Sequence, residues 1–207
     1  MAGHSDLKVR AGAIAGLRVR DTGMAAGARI TGNSVGSKAS PLGQSRGMAI
    51  TVRQADVGDV EALVVLNRFV QDLHVARQPE YFKRADAMLV ADWFLCMLRN
   101  TAARVWIAES DGHPVGYALT ITYDRPENAF CPSRSFCEVD QIAVSAAFRR
   151  RGIARALLDC VLEDARSRAV YDVELSSWSF NVDAHDTFRA LGFTEKSVRF
   201  GRKISSQ

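Results

Sequence analysis

The sequence lacks the features that would place this chain in a membrane or around a metal ion. No apolar run approaches the ~20 residues that a membrane-spanning helix needs. The four cysteines form no C-x-x-C pair and no paired-histidine motif accompanies them, so the ligand spacing of a zinc site is missing. We therefore expect no membrane segment, no resident metal, and a reducing, cytoplasmic location in which the cysteines stay as thiols.

Aromatic side chains are missing from residues 1–47, although they make up 8% of the whole chain. The same stretch holds 9 of the 15 glycines and 7 Lys or Arg against 2 Asp or Glu, a net charge of +5. Residues 48–207 hold 20 Lys or Arg against 21 Asp or Glu, a net charge of −1. A segment with so little apolar surface cannot offset the entropy lost on ordering. We predict that residues 1–47 are a disordered basic extension.

Three explanations of this extension remain open. The favoured one is upstream sequence from a mis-chosen start, because Met48 directly precedes the first strand-like run. A basic arm that binds nucleic acid is the second, and an acid-poor transit peptide is the third. A secretory signal is disfavoured because no apolar segment follows the basic residues.

Residues 48–207 have the length and element order of one mixed α/β domain. They are long enough for a single core and short for two domains. Apolar periodicity and turn residues, including the hairpin pair Asp111-Gly112, predict alternating elements. The predicted strands are 49–55, 104–109, 114–123, 136–144, 170–178 and 193–204, and the predicted helices are 57–74, 86–99, 152–167 and 183–191.

The residues with the clearest chemistry lie where the strand over 136–144 leads into the helix over 152–167. Three consecutive arginines precede the small residues Gly152 and Ala154 at the helix start. A helix N-terminus presents unpaired N–H groups and a partial positive charge, so this junction suits a diphosphate. It is neither a Walker A loop nor a G-x-G-x-x-G loop. An ordinary loop with solvated arginines is the alternative.

The pattern Arg149-x-x-Gly152-x-Ala154 after a strand resembles motif A of the GNAT superfamily of N-acetyltransferases. The later run from residue 173 to Asn181, then Phe188 and Gly192-Phe193, is similar to the second half of that family. Leu73-His74 followed by residues 79–83 resembles a bacterial branch whose substrates are mostly unassigned. The resemblance covers about residues 50–203.

This resemblance implies a mixed, splayed central sheet flanked by helices, with acetyl-CoA as cosubstrate between strands 136–144 and 170–178. It implies an N-acetyltransferase, an acyltransferase that transfers groups other than aminoacyl. The main chain of Ile142, Ala143 and Val144 would pair with the pantetheine arm. The pyrophosphate would lie on the loop and helix start. Asn181 would hydrogen-bond the cofactor near the end of the second strand, and Phe188 would pack near the thioester. The loop residues are Arg149, Arg150, Arg151, Gly152, Ile153, Ala154 and Arg155.

Two carboxylates, Glu138 and Asp140, are candidates for the base that deprotonates the acceptor amine. An alkylammonium has a pKa near 10.4, so a proton must leave before the nitrogen can attack. The two residues are two apart on a strand and so share a face. We favour Asp140 slightly. Both could instead form salt bridges or bind the substrate ammonium.

Phe188 departs from the family pattern, in which many members carry a Tyr that protonates the departing thiolate. A water molecule or His185 would have to replace it. The departure leaves a second hypothesis open, a CoA-binding regulatory domain with little catalysis. A nucleic-acid-binding protein is the third, and the net charge of −1 over residues 48–207 counts against it. The sequence leaves the acceptor open as a small-molecule or peptide amine, and a homodimer is possible.

Overall fold

Five strands form one mixed sheet in the computed structural model, which describes residues 49–204. The strands are β1 (Ile50–Gln54), β2 (Ala103–Ser110), β3 (His113–Arg125), β4 (Arg134–Val144) and β5 (Val173–Leu175), in that spatial order. Strands β1 to β4 pair antiparallel, and β4 pairs with β5 in parallel. The extension predicted for residues 1–47, with Met48, lies outside the described residues.

Within the described residues, four α-helices connect or flank these strands. They are α1 (Val60–Arg77), α2 (Ala87–Arg99), α3 (Ile153–Ser167) and α4 (Val182–Ala190). Asp56 and Asp59 form a capping box just before α1. The Asp86 carboxylate accepts hydrogen bonds from main-chain amides in the first turn of α2. No helix within residues 49–204 is long and apolar enough to cross a membrane.

The sheet is covered on both faces, and each face has its own apolar cluster. Helices α1 and α2 cover one face through Leu63, Leu66, Phe94 and Met97, which pack on Val105, Ile107, Tyr117, Leu119 and Ala143. Helix α3 covers the other face through Ile153, Leu157, Leu158 and Val161, which pack on Val115, Ala118, Cys137 and Val139. The periodicity of α3 predicted this burial, since its apolar residues recur every three or four positions.

The hairpin between β2 and β3 confirms the turn predicted from Asp111-Gly112. Both residues have positive φ angles, 51° and 79°. A two-residue hairpin turn with both central φ angles positive matches the right-handed twist of the strands, and Asp-Gly adopts it at little cost.

The predicted splay of the sheet is present between β4 and β5. Three residue pairs join the two strands, Cys137 to Val173, Glu138 to Glu174 and Val139 to Leu175. Beyond Val139, the β5 side of β4 has no strand partner among the described residues, while its β3 side stays paired up to Val144. The last five residues of β4 therefore present main-chain groups to an opening.

A β-bulge lies where the opening begins. On β3, Leu119 pairs with Gln141 and Thr120 pairs with Val139, so Asp140 is the extra residue of β4. The bulge shifts the alternation of the strand. Val139 packs in the α3 cluster, whereas Ala143 packs in the cluster of α1 and α2, although both residues are odd-numbered.

The strand predicted over residues 193–204 is wrong, and the one predicted over 170–178 is shortened to three residues. An extended segment needs a hydrogen-bonded neighbour to count as a strand, and residues 193–204 have none among the described residues. Phe200 and Ile204 are each 91% exposed, so the apolar alternation that suggested a strand buries no face.

Substitution of Gly116 on β3 would test how tightly the sheet is packed beside the opening. A Cβ atom there would lie 2.9 Å from the Ala143 carbonyl oxygen and 3.1 Å from Cγ2 of Ile153. We expect Gly116→Ala to lower the free energy of unfolding by about 1–3 kcal/mol, measured by urea denaturation. Gly201→Ala is the matched control, because nothing lies within 4 Å of its added Cβ. Equal stability of Gly116→Ala and wild type would contradict this packing.

Candidate active site

A cavity of about 90 Å³ lies at the point where β4 and β5 separate. Its walls come from α1, from the bulged part of β4 and from the stretch that runs from β5 into α4. The lining residues are Asn67, Val70, Gln71, His74, Val139, Asp140, Gln141, Ile142, Leu175, Ser176, Ser177, Asn181, Ala184 and Phe188. A wider depression of about 420 Å³ beside the start of α1 contains none of the predicted site residues.

Asp140 is the one carboxylate in the lining of this cavity, whereas Glu138 is not part of it. Its Oδ2 atom is buried and has no hydrogen-bond partner among the described residues. Burial, and then the charge of Glu138, raises the pKa of the Asp140 carboxyl to about 6. A buried carboxylate that lacks a donor is a stronger base than an exposed one, and it can accept a proton from a bound amine.

A buried polar network lies behind this carboxylate and fixes the bulged strand to α1. The Asn67 amide donates to the Tyr117 hydroxyl at 3.0 Å and to Gln141 Oε1 at 3.2 Å. The Tyr117 hydroxyl donates to the same Gln141 oxygen at 2.7 Å. Burial raises the pKa of Tyr117 well above its usual range, so the phenol stays protonated. All three side chains are buried, and their hydrogen bonds are mutually satisfied.

Helix α1 also brings Gln71 and His74 to the cavity, two residues for which the sequence predicted no role. Together with Asn67 they recur at positions i, i+4 and i+7, and all three are at least 92% buried. A stripe of polar residues on the buried face of a helix is the signal that could have identified them. Polar side chains in such positions require partners or a polar cavity.

The loop between β4 and α3 has the shape of an anion site. Arg150 and Gly152 both take left-handed backbone conformations, with φ angles of 60° and 83°. Gly152 is the N-cap of α3 and supplies no capping side chain, and the first intrahelical bond is from the Ala156 amide to the Gly152 carbonyl at 2.9 Å. The amides of Ile153, Ala154 and Arg155 therefore form the open N-terminus of the helix.

Arginines surround this helix start. Arg149, Arg150, Arg151 and Arg155 are all exposed. The Arg151 guanidinium lies 5.4 Å from the centroid of the Phe148 ring. Their charges add to the positive end of the α3 dipole, so the loop attracts a multiply charged anion.

The remaining predicted residues lie around the opening. Ile142, Ala143 and Val144 form the end of β4, paired on the β3 side with Ala118, Tyr117 and Gly116 respectively. Asn181 is the N-cap of α4, and its carbonyl accepts from the amides of Ala184 and His185. Phe188 follows two turns later and lines the cavity.

A model of the acetyltransferase (GNAT) family matches residues 67–193. This chain belongs to the GNAT family. The matched residues include the cavity, the open half of β4 and the arginine-bearing loop, so the resemblance noted from motif A is confirmed.

Similar proteins agree with this assignment. N-acetyltransferase family 8 member 2 of Rattus norvegicus is 30% identical over 101 residues, which are 49% of this chain and 43% of that protein. The chain spans about half the length of the curated relatives it matches.

Solved structures of two proteins show the same fold. The tetramutant of the BH1408 protein of Bacillus halodurans has a TM-score of 0.71 at 18% identity, covering 74% of this chain and 99% of that one. An aminoglycoside N-acetyltransferase, AAC(6')-Iy, solved in complex with CoA, has a TM-score of 0.60 at 22% identity, covering 76% and 97%. The mixed sheet flanked by helices is thus shared with both proteins, one of which is an aminoglycoside N-acetyltransferase.

The raised pKa of Asp140 predicts a pH-dependent stability. Folding raises the pKa of the Asp140 carboxyl from 3.8 to about 6 because burial disfavours its charged form. The fold therefore loses stability as the pH rises through that interval. We expect Asp140→Asn to be more stable than wild type above pH 6, by at most about 3 kcal/mol. The difference should vanish below about pH 4, where both forms are neutral.

Thermal unfolding across pH 4 to 8 measures this effect, with Asp159→Asn on the exposed side of α3 as the matched control. A stability difference between Asp140→Asn and wild type that does not change with pH would contradict the assignment of a buried, titrating carboxylate.

Proposed function

We propose that this protein is an N-acetyltransferase that moves the acetyl group of acetyl-CoA to a primary amine by direct attack. The observation that carries this proposal is the open half of β4, which runs from an acid-lined cavity to the uncapped start of α3. That track has main-chain groups for an amide-rich arm, N–H groups for a diphosphate and a base at the reacting end. Family membership supports it, and AAC(6')-Iy has been solved with CoA and with a CoA bisubstrate analogue of an acetylated aminoglycoside.

The cosubstrate would follow the opening from one end to the other. The main chain of residues 142–144 would pair with the pantetheine amides in place of a sixth strand. The pyrophosphate oxygens would accept hydrogen bonds from the amides of Ile153, Ala154 and Arg155, and Gly152 would allow the phosphates to approach the main chain closely. The charges of Arg149, Arg150, Arg151 and Arg155 would offset those of the phosphates. Asn181 and Phe188 would border the pantetheine end near the thioester.

Asp140 is the base we propose, in preference to Glu138. Asp140 lines the cavity and its free oxygen is buried, whereas Glu138 is absent from the lining and acts on Asp140 through its charge. Asp140 would accept a proton from the acceptor ammonium. The neutral nitrogen would then attack the thioester carbonyl, and the C–S bond would break as the amide forms, with no covalent enzyme intermediate.

The acceptor would be a small-molecule or peptide amine, and the protein would act in the cytoplasm, with homodimer formation left open. The GNAT family includes enzymes named for amine acceptors, such as the aminoglycoside enzyme above. A nucleic-acid partner is disfavoured because residues 48–207 carry a net charge of −1.

The competing proposal is a CoA-binding domain with little catalysis. One observation favours it: Phe188 lines the cavity at the position where many family members present a phenolic hydroxyl. The CoA thiol has a pKa near 8.5, so its thiolate can leave without being protonated, although more slowly than with a proton donor. The loss of the hydroxyl would therefore slow catalysis rather than abolish it.

Turnover separates the two proposals. The full chain is incubated with acetyl-CoA and, in separate reactions, free amino acids, spermidine, kanamycin, phenethylamine and a lysine-containing peptide, and the release of CoA thiol is followed. We expect transfer to at least one amine. Asp140→Asn should lower kcat at least 100-fold, because general base catalysis contributes about 10² to 10⁴. Its acetyl-CoA affinity should not change.

The double variant Arg150→Ala, Arg151→Ala should instead raise the KM for acetyl-CoA at least tenfold. Its matched control is Arg166→Ala, an exposed arginine that pairs with Glu163 near the far end of α3. Tight acetyl-CoA binding without transfer to any amine would favour the regulatory domain. Failure to bind acetyl-CoA would contradict both proposals.

A further inference from the structure

Acetyl transfer to an ammonium involves two protons, and one carboxylate accounts for only one of them. The first leaves the ammonium before attack. The second leaves the nitrogen after attack, and the departing sulfur needs a proton. Phe188 has no hydroxyl to supply it. The remaining titratable side chain in the cavity lining is His74.

The fold holds His74 in a defined place on the wall contributed by α1. Its ring is stacked on Phe82, with centroids 4.6 Å apart and an interplanar angle of 24°, and meets the edge of Phe180 at 6.0 Å. The loop that carries Phe82 is tied to α1 by the Gln71 amide, which donates to the Lys83 carbonyl at 2.6 Å. The residue is 5% exposed, so the ring has little freedom to turn away.

The contacts of His74 differ from those of its polar neighbours on α1. Asn67 and Gln71 donate to protein acceptors through their amide groups. The imidazole instead packs against two rings, and within residues 49–204 neither ring nitrogen makes a hydrogen bond to protein. A buried imidazole without a protein partner on the wall of a polar cavity is available to the molecules that occupy that cavity.

We propose that His74 is the proton shuttle of the acetyl transfer, accepting the proton of the attacking nitrogen and returning it to the sulfur of CoA. This inference rests on the proposed acetyltransferase activity. The nitrogen–carbon bond forms, the tetrahedral adduct gives its N–H proton to the imidazole, the carbon–sulfur bond breaks, and the imidazolium protonates the thiolate. The imidazole ends neutral, and the proton that Asp140 took from the ammonium is released to water.

The electrostatic surroundings agree with this role. Burial lowers the pKa of His74, so the ring is neutral and can accept a proton at neutral pH. The titratable groups on the facing side of β4 are Asp140 and Glu138. The other lining side chains, from α1, β5 and α4, are neutral, and Phe82 and Phe180 contribute only rings.

The test uses the full chain, acetyl-CoA and the best acceptor from the amine panel. His74→Phe keeps a ring for the stack on Phe82 and removes both nitrogens. We expect its kcat to fall at least 30-fold with an unchanged dissociation constant for acetyl-CoA. His113→Phe, in the exposed hairpin, is the matched control and should keep wild-type kcat.

The pH profile separates a proton carrier from a structural residue. In wild type, both Asp140 and His74 must be unprotonated, so the slope of log kcat against pH should approach two on the acid side. In His74→Phe that slope should fall to one. A kcat within threefold of wild type, or an unchanged slope, would overturn the role of His74.

A second variant covers the case in which His74→Phe does not fold. His74→Gln is smaller and polar, and its fold is checked by acetyl-CoA binding. A kcat for this variant close to wild type would likewise overturn the proposal. If wild type transfers acetyl groups to none of the panel amines and the regulatory alternative holds, the proposed acetyltransferase activity fails first, and the shuttle fails with it.

Discussion

The separation of β4 from β5 after three residue pairs is the constraint on which the rest of the structure depends. A strand edge normally satisfies its N–H and C=O groups with a neighbouring strand. Here residues 141–144 are paired with β3, and residues 140–144 are open towards β5. The open edge, the cavity at its beginning and the uncapped helix at its end form one continuous track, which is why a long, amide-rich cosubstrate suits it.

The bulge at Asp140 links this opening to the polar interior. By inserting one residue, it directs Asp140 into the cavity and Gln141 into the network with Asn67 and Tyr117. The network costs little because its members satisfy one another, and it holds α1 against β4. Helix α1 in turn fixes His74 across the cavity from the open edge. The acid, the imidazole and the opening are thus positioned by the same few contacts.

Much of the fold was predictable because its signals are local. The Asp111-Gly112 turn and the apolar stripe of α3 each depend on a short stretch of sequence. The track of main-chain groups followed from motif A. The bulge did not, because a register shift depends on the partner strand. The role of the α1 face was missed for the same reason, since His74 acquires its neighbours only through packing with Phe82 and Phe180.

Hydrogen exchange of the main-chain amides, with and without acetyl-CoA, tests the central claim most directly. Amides that pair with a bound pantetheine arm or hold its pyrophosphate must exchange more slowly when the cosubstrate is present. We expect added protection in peptides covering residues 140–144 and 153–155, with the β2–β3 hairpin unchanged. Protection confined to other segments, or none despite saturating acetyl-CoA, would contradict the account of β4 as the cosubstrate edge.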